Sequence, residues 1–278
     1  MELSSTTLVV LDFSGTLSLD AVRFSARDRI GAELRHSGLA ALGIDTPQLF
    51  WERLVAPTWP DGSTTTRGYV EALTAAAARV LSERGRDVSV DEIRRCVGAF
   101  AGRYLACSTI APQWRGYLRR LEGRDDAVTV VATDHYAEAT AHIVAELARV
   151  GIRAAPVGSR PGAPGAVAVA NSADLGRHKS DAGFWRAVGG ALRPVEVTRV
   201  AVVDDFGANE PPDDVYADAA RVRRRRATTT VALTSAFGVA PHVHPFVLPP
   251  AATSDDDVAA LVSGAGRFTM NVLSGPSS

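Results

Sequence analysis

The sequence predicts an α/β fold, in which a doubly wound and mostly parallel sheet carries an inserted all-helical domain. Short apolar runs rich in β-branched residues recur along the chain, and helical patterns separate most of them. One long stretch, residues 18–110, holds helical patterns but no convincing strand. Strands that alternate with helices are typical of a parallel sheet covered by helices on both faces. We therefore expect a Rossmann-like sheet with a helical block inserted into it.

Five apolar runs are predicted to be buried strands, and four helical patterns lie beside them. Each run is bounded by polar or turn-forming residues and is short enough for a sheet. The strands are expected at residues 8–11, 128–132, 167–170, 200–203 and 229–233, and the helices at residues 114–121, 137–150, 181–192 and 212–225.

The helical stretch predicts a second, smaller domain. Its apolar residues recur at helical spacing in two stripes, which are most simply core contacts. A block inserted after the first strand lies over the strand ends, where ligands bind in such sheets. We expect a core domain of residues 1–17 and 111–278 and a helical cap domain of residues 18–110.

The other segments are expected to be a loop and a closing helix. Residues 156–165 are rich in glycine and proline and predict a surface loop. From Thr253 onwards, a capping residue, an acidic first turn and spaced apolar residues are typical of a helix. Residues 274–278 are expected to be frayed.

Composition and charge indicate a protein that acts on small molecules. The 278 residues are 46% hydrophobic, and a net charge of −1 offers no positive field to nucleic acid or an anionic membrane. Four consecutive arginines, residues 223–226, are expected at a helix end, where cations complement the helix dipole. Cys96 and Cys107 lack metal-ligand spacing, so neither a zinc site nor a disulfide framework is expected.

The N-terminal segment does not resemble a targeting signal. No basic leader precedes the first apolar run, which ends at Asp12, and no run reaches the roughly 18 apolar residues of a membrane span. We expect a cytoplasmic protein, and the sequence leaves its oligomeric state open.

Polar residues follow the first two predicted strands directly. Asp12 ends the first, and Gly15 permits a tight turn after it. A carboxylate there can be a covalent nucleophile, a metal ligand, or simply a cap or turn residue. Thr133 ends the second strand, and its hydroxyl could donate to a phosphoryl oxygen. Alternatively, Thr133 or Asp134 could cap the helix that follows.

Charged residues mark two further segments. Lys179 is the only lysine among 30 basic residues, which suggests a task that arginine cannot perform, such as acting as a compact point charge. Asp204, Asp205 and Glu210 follow the fourth predicted strand, and clustered carboxylates need a compensating cation. Oxygen ligands of this kind select magnesium, so Mg²⁺ is the expected cofactor.

In order and spacing, these four segments resemble the four motifs of the haloacid dehalogenase (HAD) superfamily of hydrolases, and they cover essentially the whole chain. Asp12 matches the nucleophile, Thr133 the phosphate-binding Ser/Thr, and Lys179 the charge-balancing lysine. Asp204, Asp205 and Glu210 match the acidic fourth motif. The helical stretch stands where this superfamily carries its type-1 cap.

The resemblance implies a magnesium-dependent phosphohydrolase or phosphotransferase acting on a small phosphorylated substrate. Asp12 would attack phosphorus and form an aspartyl-phosphate, while magnesium, Lys179, Thr133 and nearby amides offset the charge. Magnesium would be held by Asp12, the backbone carbonyl of Ser14 and Asp205. Asp204 or Glu210 would act directly or through water.

The sequence departs from the phosphatase pattern at Ser14. Most phosphatases of the superfamily have an aspartate there, which protonates the leaving group and later activates water. Dehalogenases, phosphonoacetaldehyde hydrolases and ion-pumping ATPases also depart at this position. Dehalogenases need no metal, whereas the acidic trio indicates one. The phosphonate enzymes use a cap lysine, and this chain has no lysine except Lys179. A degenerate domain that binds a phosphorylated ligand without turnover remains the alternative of a different class.

Specificity is expected to come from the cap domain. Arg23, Arg27, Trp59 and Tyr69 are candidates for lining its pocket, although each could equally be a surface charge or a core aromatic residue. The sequence therefore leaves the substrate open.

Overall fold

A computed structural model describes residues 5–159, 166–192, 195–211, 218–249 and 254–275. Its described residues form one six-stranded, entirely parallel sheet in the order β3-β4-β2-β1-β5-β6. The strands are β1 (Ser5–Asp12), β2 (Ala127–Thr133), β3 (Ala154–Pro156), β4 (Val167–Asn171), β5 (Glu196–Asp204) and β6 (His242–Pro245). The predicted α/β class with a parallel, Rossmann-like sheet is confirmed.

The connection from β1 to β2 contains helices and no strand, as predicted, and we call residues 18–110 the helical insert. Its helices are α1 (Leu19–Arg23), α2 (Arg27–His36), α3 (Leu39–Leu42), α4 (Pro47–Leu49), α5 (Ala56–Gly62), α6 (Tyr69–Glu83) and α7 (Val90–Cys107), with a π-helical segment at Phe50–Val55. The insert has an apolar cluster of its own, to which Tyr136 of the sheet domain also contributes. The domain boundaries themselves stay a prediction.

Six further α-helices follow the insert in the described residues. They are α8 (Arg115–Glu122), α9 (Glu138–Arg149), α10 (Ser172–Leu175), α11 (Ala182–Ala191), α12 (Ala219–Phe237) and α13 (Asp255–Ser274). Val9 and Leu11 of β1 pack against α8, α9 and α13, whereas Leu8 and Val10 pack against α11 and α12. Because side chains alternate along a strand, this division shows that helices cover both faces of the sheet.

The predicted strand at residues 229–233 is wrong, since these residues lie inside α12. Thr229, Ala232 and Leu233 are buried there, at helical spacing, while Val231 is exposed. The edge of the sheet is formed instead by β6, which was not predicted, and neither was β3. The arginines 223–226 lie in the first half of α12 and not at its end, so the helix dipole does not explain them.

Several boundaries fall where the sequence placed them. α13 begins after Ser254, whose hydroxyl accepts from the Asp257 N–H while the Asp257 carboxylate accepts from the Ser254 N–H. The described residues do not include Thr253, most of the predicted loop at 156–165, the predicted helix start at 212–217 or the terminal residues 276–278. No helix in the described ranges is long and apolar enough to cross a membrane.

The insert is joined to the strand ends by polar contacts. The Glu138 carboxylate of α9 accepts hydrogen bonds from the Tyr69 and Val70 N–H groups, at 2.7 and 3.3 Å, and so caps α6. Gly62 packs directly on the Tyr136 ring, where a β-carbon would overlap ring atoms. These contacts hold the insert over the carboxyl edge of the sheet.

A buried carboxylate links two helices of the insert and generates a stability prediction. Glu33 of α2 is 2% exposed and bonds both Arg29 and Arg103, the latter from α7. Hydrogen bonding from Arg103, and then from Arg29, holds the pKa of Glu33 below its usual range against the effect of burial.

We expect Glu33→Gln to lower the free energy of unfolding in urea by about 1–3 kcal/mol, because charge-assisted bonds to a buried carboxylate are lost. The control is Glu71→Gln, which breaks a pair between Arg67 and a carboxylate that is 67% exposed. That change should cost less than about 0.5 kcal/mol. Equal effects of the two substitutions would contradict this role for Glu33.

Candidate active site

The carboxyl edge of the sheet brings together residues that are far apart in sequence. Asp12, Thr133 and Asp204 are the last residues of β1, β2 and β5, and all three are buried. β1 pairs with β2 on one side and β5 on the other, so its end lies between theirs. The strand order reverses at β1, because β2 is added on one side of it and β5 on the other. Such a topological switch point is where α/β sheets bind ligands.

Lys179 lies between two of these carboxylates. Its ammonium Nζ is 2.6 Å from Asp12 Oδ1 and 2.8 Å from Asp204 Oδ2, and the residue is only 9% exposed. Burial alone would lower the pKa of Lys179, but the charges of Asp12 and Asp204 outweigh it and raise that pKa. The side chain is therefore a permanent cation that bridges the ends of β1 and β5.

Lys179 reaches this position from the loop after α10, and its backbone is bonded on both sides. The Asp134 carboxylate accepts its N–H at 2.9 Å, and its carbonyl accepts the indole N–H of Trp185 at 2.7 Å. Sequence reasoning considered Asp134 only as a helix cap and missed this contact. Asp134 directly follows Thr133 at a strand end, which was the available signal.

Asp205 is oriented by the backbone of its own loop. Its two carboxylate oxygens accept the N–H groups of Gly207 and Asn209, both at 3.0 Å, and its own N–H donates to Thr16 Oγ1. Gly15 has φ +82°, and a β-carbon there would overlap the Asp205 carboxylate. This glycine thus lets the turn after β1 approach Asp205 closely.

The loop after β5 also contains a strained residue. Phe206 has a φ of 53°, in the left-handed region that a bulky side chain rarely adopts. In this conformation its N–H donates to Asp204 Oδ1 at 2.6 Å. The Asp204 carboxylate is therefore held between a backbone amide and the Lys179 ammonium.

Three carboxylates form a cluster suited to a cation. One oxygen of each of Asp12, Asp204 and Asp205 lies within 4.8 Å of the others, and all three residues are buried. Burial first, and then neighbouring carboxylates, raise the pKa of Asp12, against the opposing charge of Lys179. Burial and the charge of Asp204 likewise raise the pKa of Asp205, to about 7. A single ammonium leaves excess negative charge, which an oxygen-preferring cation such as Mg²⁺ fits.

Two other residues, Glu210 and Ser14, were also predicted to contact the metal. Glu210 lines the cavity beside the cluster, and its carboxylate accepts from the Ser25 hydroxyl at 3.1 Å. It is not one of the three clustered carboxylates. Ser14 also lines the cavity, and its buried hydroxyl makes no hydrogen bond within standard limits.

Asn209 was missed by the sequence analysis. Its amide nitrogen donates to the carbonyls of Gly15 and Phe246, at 2.6 and 2.8 Å, and its oxygen accepts from Leu248 N–H at 2.8 Å. It ties the loops after β1, β5 and β6 together. Its position in the same polar segment, between Asp205 and Glu210, was the signal.

A tyrosine–histidine pair from two different elements lies near Ser14. His135 Nδ1 accepts from the Tyr136 N–H, and Nε2 is 2.9 Å from the Tyr104 hydroxyl. Burial lowers the pKa of His135 to about 4, so at neutral pH the ring is neutral and Nε2 carries the hydrogen. His135 therefore donates to Tyr104, and the phenol hydrogen is available to another acceptor.

The Tyr104 phenol is a weak acid in this setting. Burial raises its pKa to about 12, and the adjacent Ser14 side chain partly opposes the rise. Tyr104 thus brings a hydroxyl from the insert to the position two residues after Asp12. Sequence analysis placed Tyr104 in a core stripe and did not identify this contact.

A cavity of about 350 Å³ connects these groups to the insert. Asp12, Ser14, Thr133 and Lys179 line it at the strand ends, together with Asp204, Asp205 and Glu210. Trp59 and Tyr69 line it from the insert, as expected. Arg23 and Arg27 lie on the surface and do not, and Arg23 pairs with Asp20. The arrangement brings a candidate nucleophile, a fixed ammonium and a cluster of carboxylates to one cavity.

Comparisons with known proteins concern the fold. No protein-family profile and no curated protein matches the chain. A 2-haloacid dehalogenase from Pseudomonas syringae pv. tomato DC3000 is similar at 18% identity, over 79% of this chain and 83% of its own, with a TM-score of 0.48. The HAD-hydrolase YfnB from Bacillus subtilis, solved with magnesium bound, is similar at 11% identity, over 80% and 84%, with a TM-score of 0.40.

A haloacid dehalogenase-like family hydrolase from Xanthomonas campestris is similar over 95% of this chain and 94% of its own, at 14% identity and a TM-score of 0.44. These three structures are described as a haloacid dehalogenase or as HAD-type hydrolases. Similarity at this level carries no function to this chain, which has to be inferred from its own site.

The buried imidazole generates a pH prediction. Because the folded-state pKa of His135, about 4, is below the unfolded value near 6.5, its stabilising effect is complete above pH 6.5 and is lost as the pH falls towards 4. Between pH 7 and pH 4, the wild type should lose up to about 3 kcal/mol more than His135→Gln does. The measurement is urea unfolding at each pH. His242→Gln, which removes an exposed imidazole, should follow the wild type; identical pH profiles for all three proteins would refute the assignment.

Proposed function

We propose that this chain is a HAD-like hydrolase, and specifically a magnesium-dependent phosphohydrolase of a small phosphorylated molecule, with Asp12 as its nucleophile. One observation carries the proposal. Asp12 ends β1 at the cavity wall, shares the Lys179 ammonium with Asp204, and has a carboxylate oxygen within 4.8 Å of one of Asp205.

The donor set fits a magnesium ion. Asp12 and Asp205 would hold it with the Ser14 carbonyl, and Asp204 or Glu210 would contribute directly or through water. Bound there, the cation would polarise phosphoryl oxygens and compensate the excess negative charge. Phosphotransfer to an acceptor other than water would use the same residues.

The chain's own residues would act as follows. An Asp12 oxygen attacks phosphorus, the bond to the leaving oxygen breaks, and water later hydrolyses the aspartyl-phosphate. Lys179 favours the ionised form of Asp12, holds its carboxylate in place, and would offset charge on the transferring group. Thr133 lines the same cavity and would donate a hydrogen bond to a phosphoryl oxygen. The helical insert would limit access of bulk water.

The test is a panel of phosphomonoesters, acyl phosphates, phosphonates and 2-haloacids, assayed with magnesium and in excess EDTA. We expect magnesium-dependent release of phosphate that chelation abolishes. Asp12→Asn should reduce turnover by at least about 10³-fold, because the nucleophile is removed. Asp91→Asn, which changes a carboxylate that is 93% exposed on α7, should leave turnover unchanged.

Other outcomes would identify the competing functions. Full activity in EDTA would contradict the metal assignment, and halide release without metal would indicate dehalogenase chemistry. Binding of phosphorylated ligands without turnover of any of them would indicate a degenerate binding protein.

Ser14 generates a prediction about leaving groups. A serine hydroxyl is too weak an acid to protonate a departing alkoxide, and the Tyr104 phenol, with a pKa raised to about 12, is also weak. Substrates with low-pKa leaving groups should therefore react much faster than alkyl phosphates. Ser14→Asp should narrow that gap, by up to about 10²–10⁴-fold on the slow substrates.

The measurement is the single-turnover rate as a function of leaving-group pKa, with magnesium saturating. Tyr104→Phe, which removes the hydroxyl beside Ser14, is the discriminating variant. A flat dependence in the wild type that becomes steep in Tyr104→Phe would mean that Tyr104 supplies the proton, contrary to our expectation.

A further inference from the structure

The cavity beside Asp12 has two chemically different halves. The strand ends form a charged half, which contains Asp12, Lys179 and Asp205. The insert forms the other half from side chains such as Phe24, Phe50, Trp59 and Phe100. A molecule that fills the cavity therefore meets charge at one end and rings at the other.

The rings of the insert hold one another in place. The Phe24 and Phe100 centroids are 5.5 Å apart at 81°, and those of Phe50 and Phe100 are 4.6 Å apart. Trp59 meets Tyr136 edge-on at 5.4 Å. Packing of this kind restricts each ring, so the apolar half is pre-formed and does not need a ligand to assemble it.

The apolar half offers little to a polar ligand. Of the described residues that the insert contributes to the wall, none carries a charge. The Ser25 hydroxyl already donates towards the Val22 carbonyl and Glu210, which leaves the hydroxyls of Tyr69 and Tyr104 as the other hydroxyl groups that the insert brings to the wall. A sugar or a second phosphate placed here would lose more hydrogen bonds to water than these few hydroxyls could replace.

The size of the cavity indicates an organic group as well as a phosphate. The volume of about 350 Å³ includes the charged half of the cavity as well as the apolar half. An apolar cavity of about 150 Å³ is enough to bind benzene in an engineered protein. The available space thus accommodates one ring or a branched chain next to the charged half.

We propose that the organic part of the substrate is a compact apolar group, either a single aromatic ring or a branched aliphatic chain, which binds against the rings of the insert. The proposal rests on the function proposed above and adds the substrate class. It excludes sugar phosphates, polyols and nucleotides as preferred substrates, because their hydroxyl or charged groups would face the apolar half.

The experiment measures binding of uncleaved phosphonates by titration calorimetry at pH 7.5 with saturating magnesium. Burial of each methylene should tighten binding about fourfold. Benzylphosphonate should therefore bind at least about 30-fold more tightly than methylphosphonate. The pair (2-methylbutyl)phosphonate and (2,3-dihydroxypropyl)phosphonate has the same number of heavy atoms, and the first should bind at least about tenfold more tightly.

Two variants locate the apolar group. Val55 lines the cavity and is buried, so Val55→Phe should fill the apolar half and weaken benzylphosphonate binding at least tenfold. Methylphosphonate binding should change less than twofold. Val90→Phe is the matched control, because Val90 is 51% exposed at the start of α7 and should affect neither ligand. Trp59→Ala removes part of the wall and should also weaken only the benzyl compound, which keeps the test decisive if Val55→Phe does not fold.

The outcomes separate this proposal from the proposed function. If methylphosphonate binds as tightly as benzylphosphonate, and the dihydroxypropyl compound as tightly as the methylbutyl compound, the proposal of an apolar substrate group is overturned. The phosphohydrolase proposal is then unaffected. Benzyl alcohol and phenylacetate serve as ring compounds without a phosphonate group. If the wild type binds either of them but no phosphonate, and Val55→Phe abolishes that binding, the apolar site is supported and the phosphohydrolase proposal is contradicted. Failure of all these ligands to bind would overturn both.

Discussion

The Lys179 ammonium, buried between Asp12 and Asp204, is the interaction on which the rest of the site depends. Two buried carboxylates at neighbouring strand ends would otherwise repel each other and take up protons. One ammonium permits them to coexist, and Asp134 and Trp185 fix the loop that delivers it. Because Asp205 adds a third carboxylate, the Lys179 ammonium alone does not neutralise the negative charge of the cluster. The same imbalance that makes the cluster costly in the folded chain makes it suited to a divalent ion.

The helical insert contributes more than a cover. Its position is set by contacts that originate in the sheet domain, where Glu138 caps α6 and Tyr136 packs against Gly62. His178, one residue before Lys179, is bonded to Ser63 of the insert at 2.7 Å. The loop that carries the central ammonium is thus tied to the wall of the cavity. These contacts place the charged residues of the strand ends and the aromatic side chains of the insert around the same cavity.

Most of the fold could be predicted, and the failures have a common cause. The strands at the centre of the sheet are apolar on both faces, and their composition alone identifies them. At the edges of the sheet, the amino-acid composition of a segment is a poor guide to its secondary structure. Residues 229–233 are rich in threonine and valine, yet they continue α12, because packing of Leu233 and its neighbours on the sheet outweighs local strand propensity. The short edge strands β3 and β6 have three and four residues, too few for a pattern to be read.

The sequence by itself determined the polar residues at the strand ends, since Asp12, Thr133, Asp204 and Asp205 end or follow apolar runs. It also singled out Lys179, which is the only lysine in the chain. Parallel pairing then requires that the strand ends meet at one edge. Only the tertiary structure decided that Glu210 turns towards Ser25, that Asn209 ties three loops together, and that Tyr104 reaches Ser14 from the insert. The physical reason is that sequence periodicity gives the face of a helix, whereas the partner of that face depends on how whole elements pack.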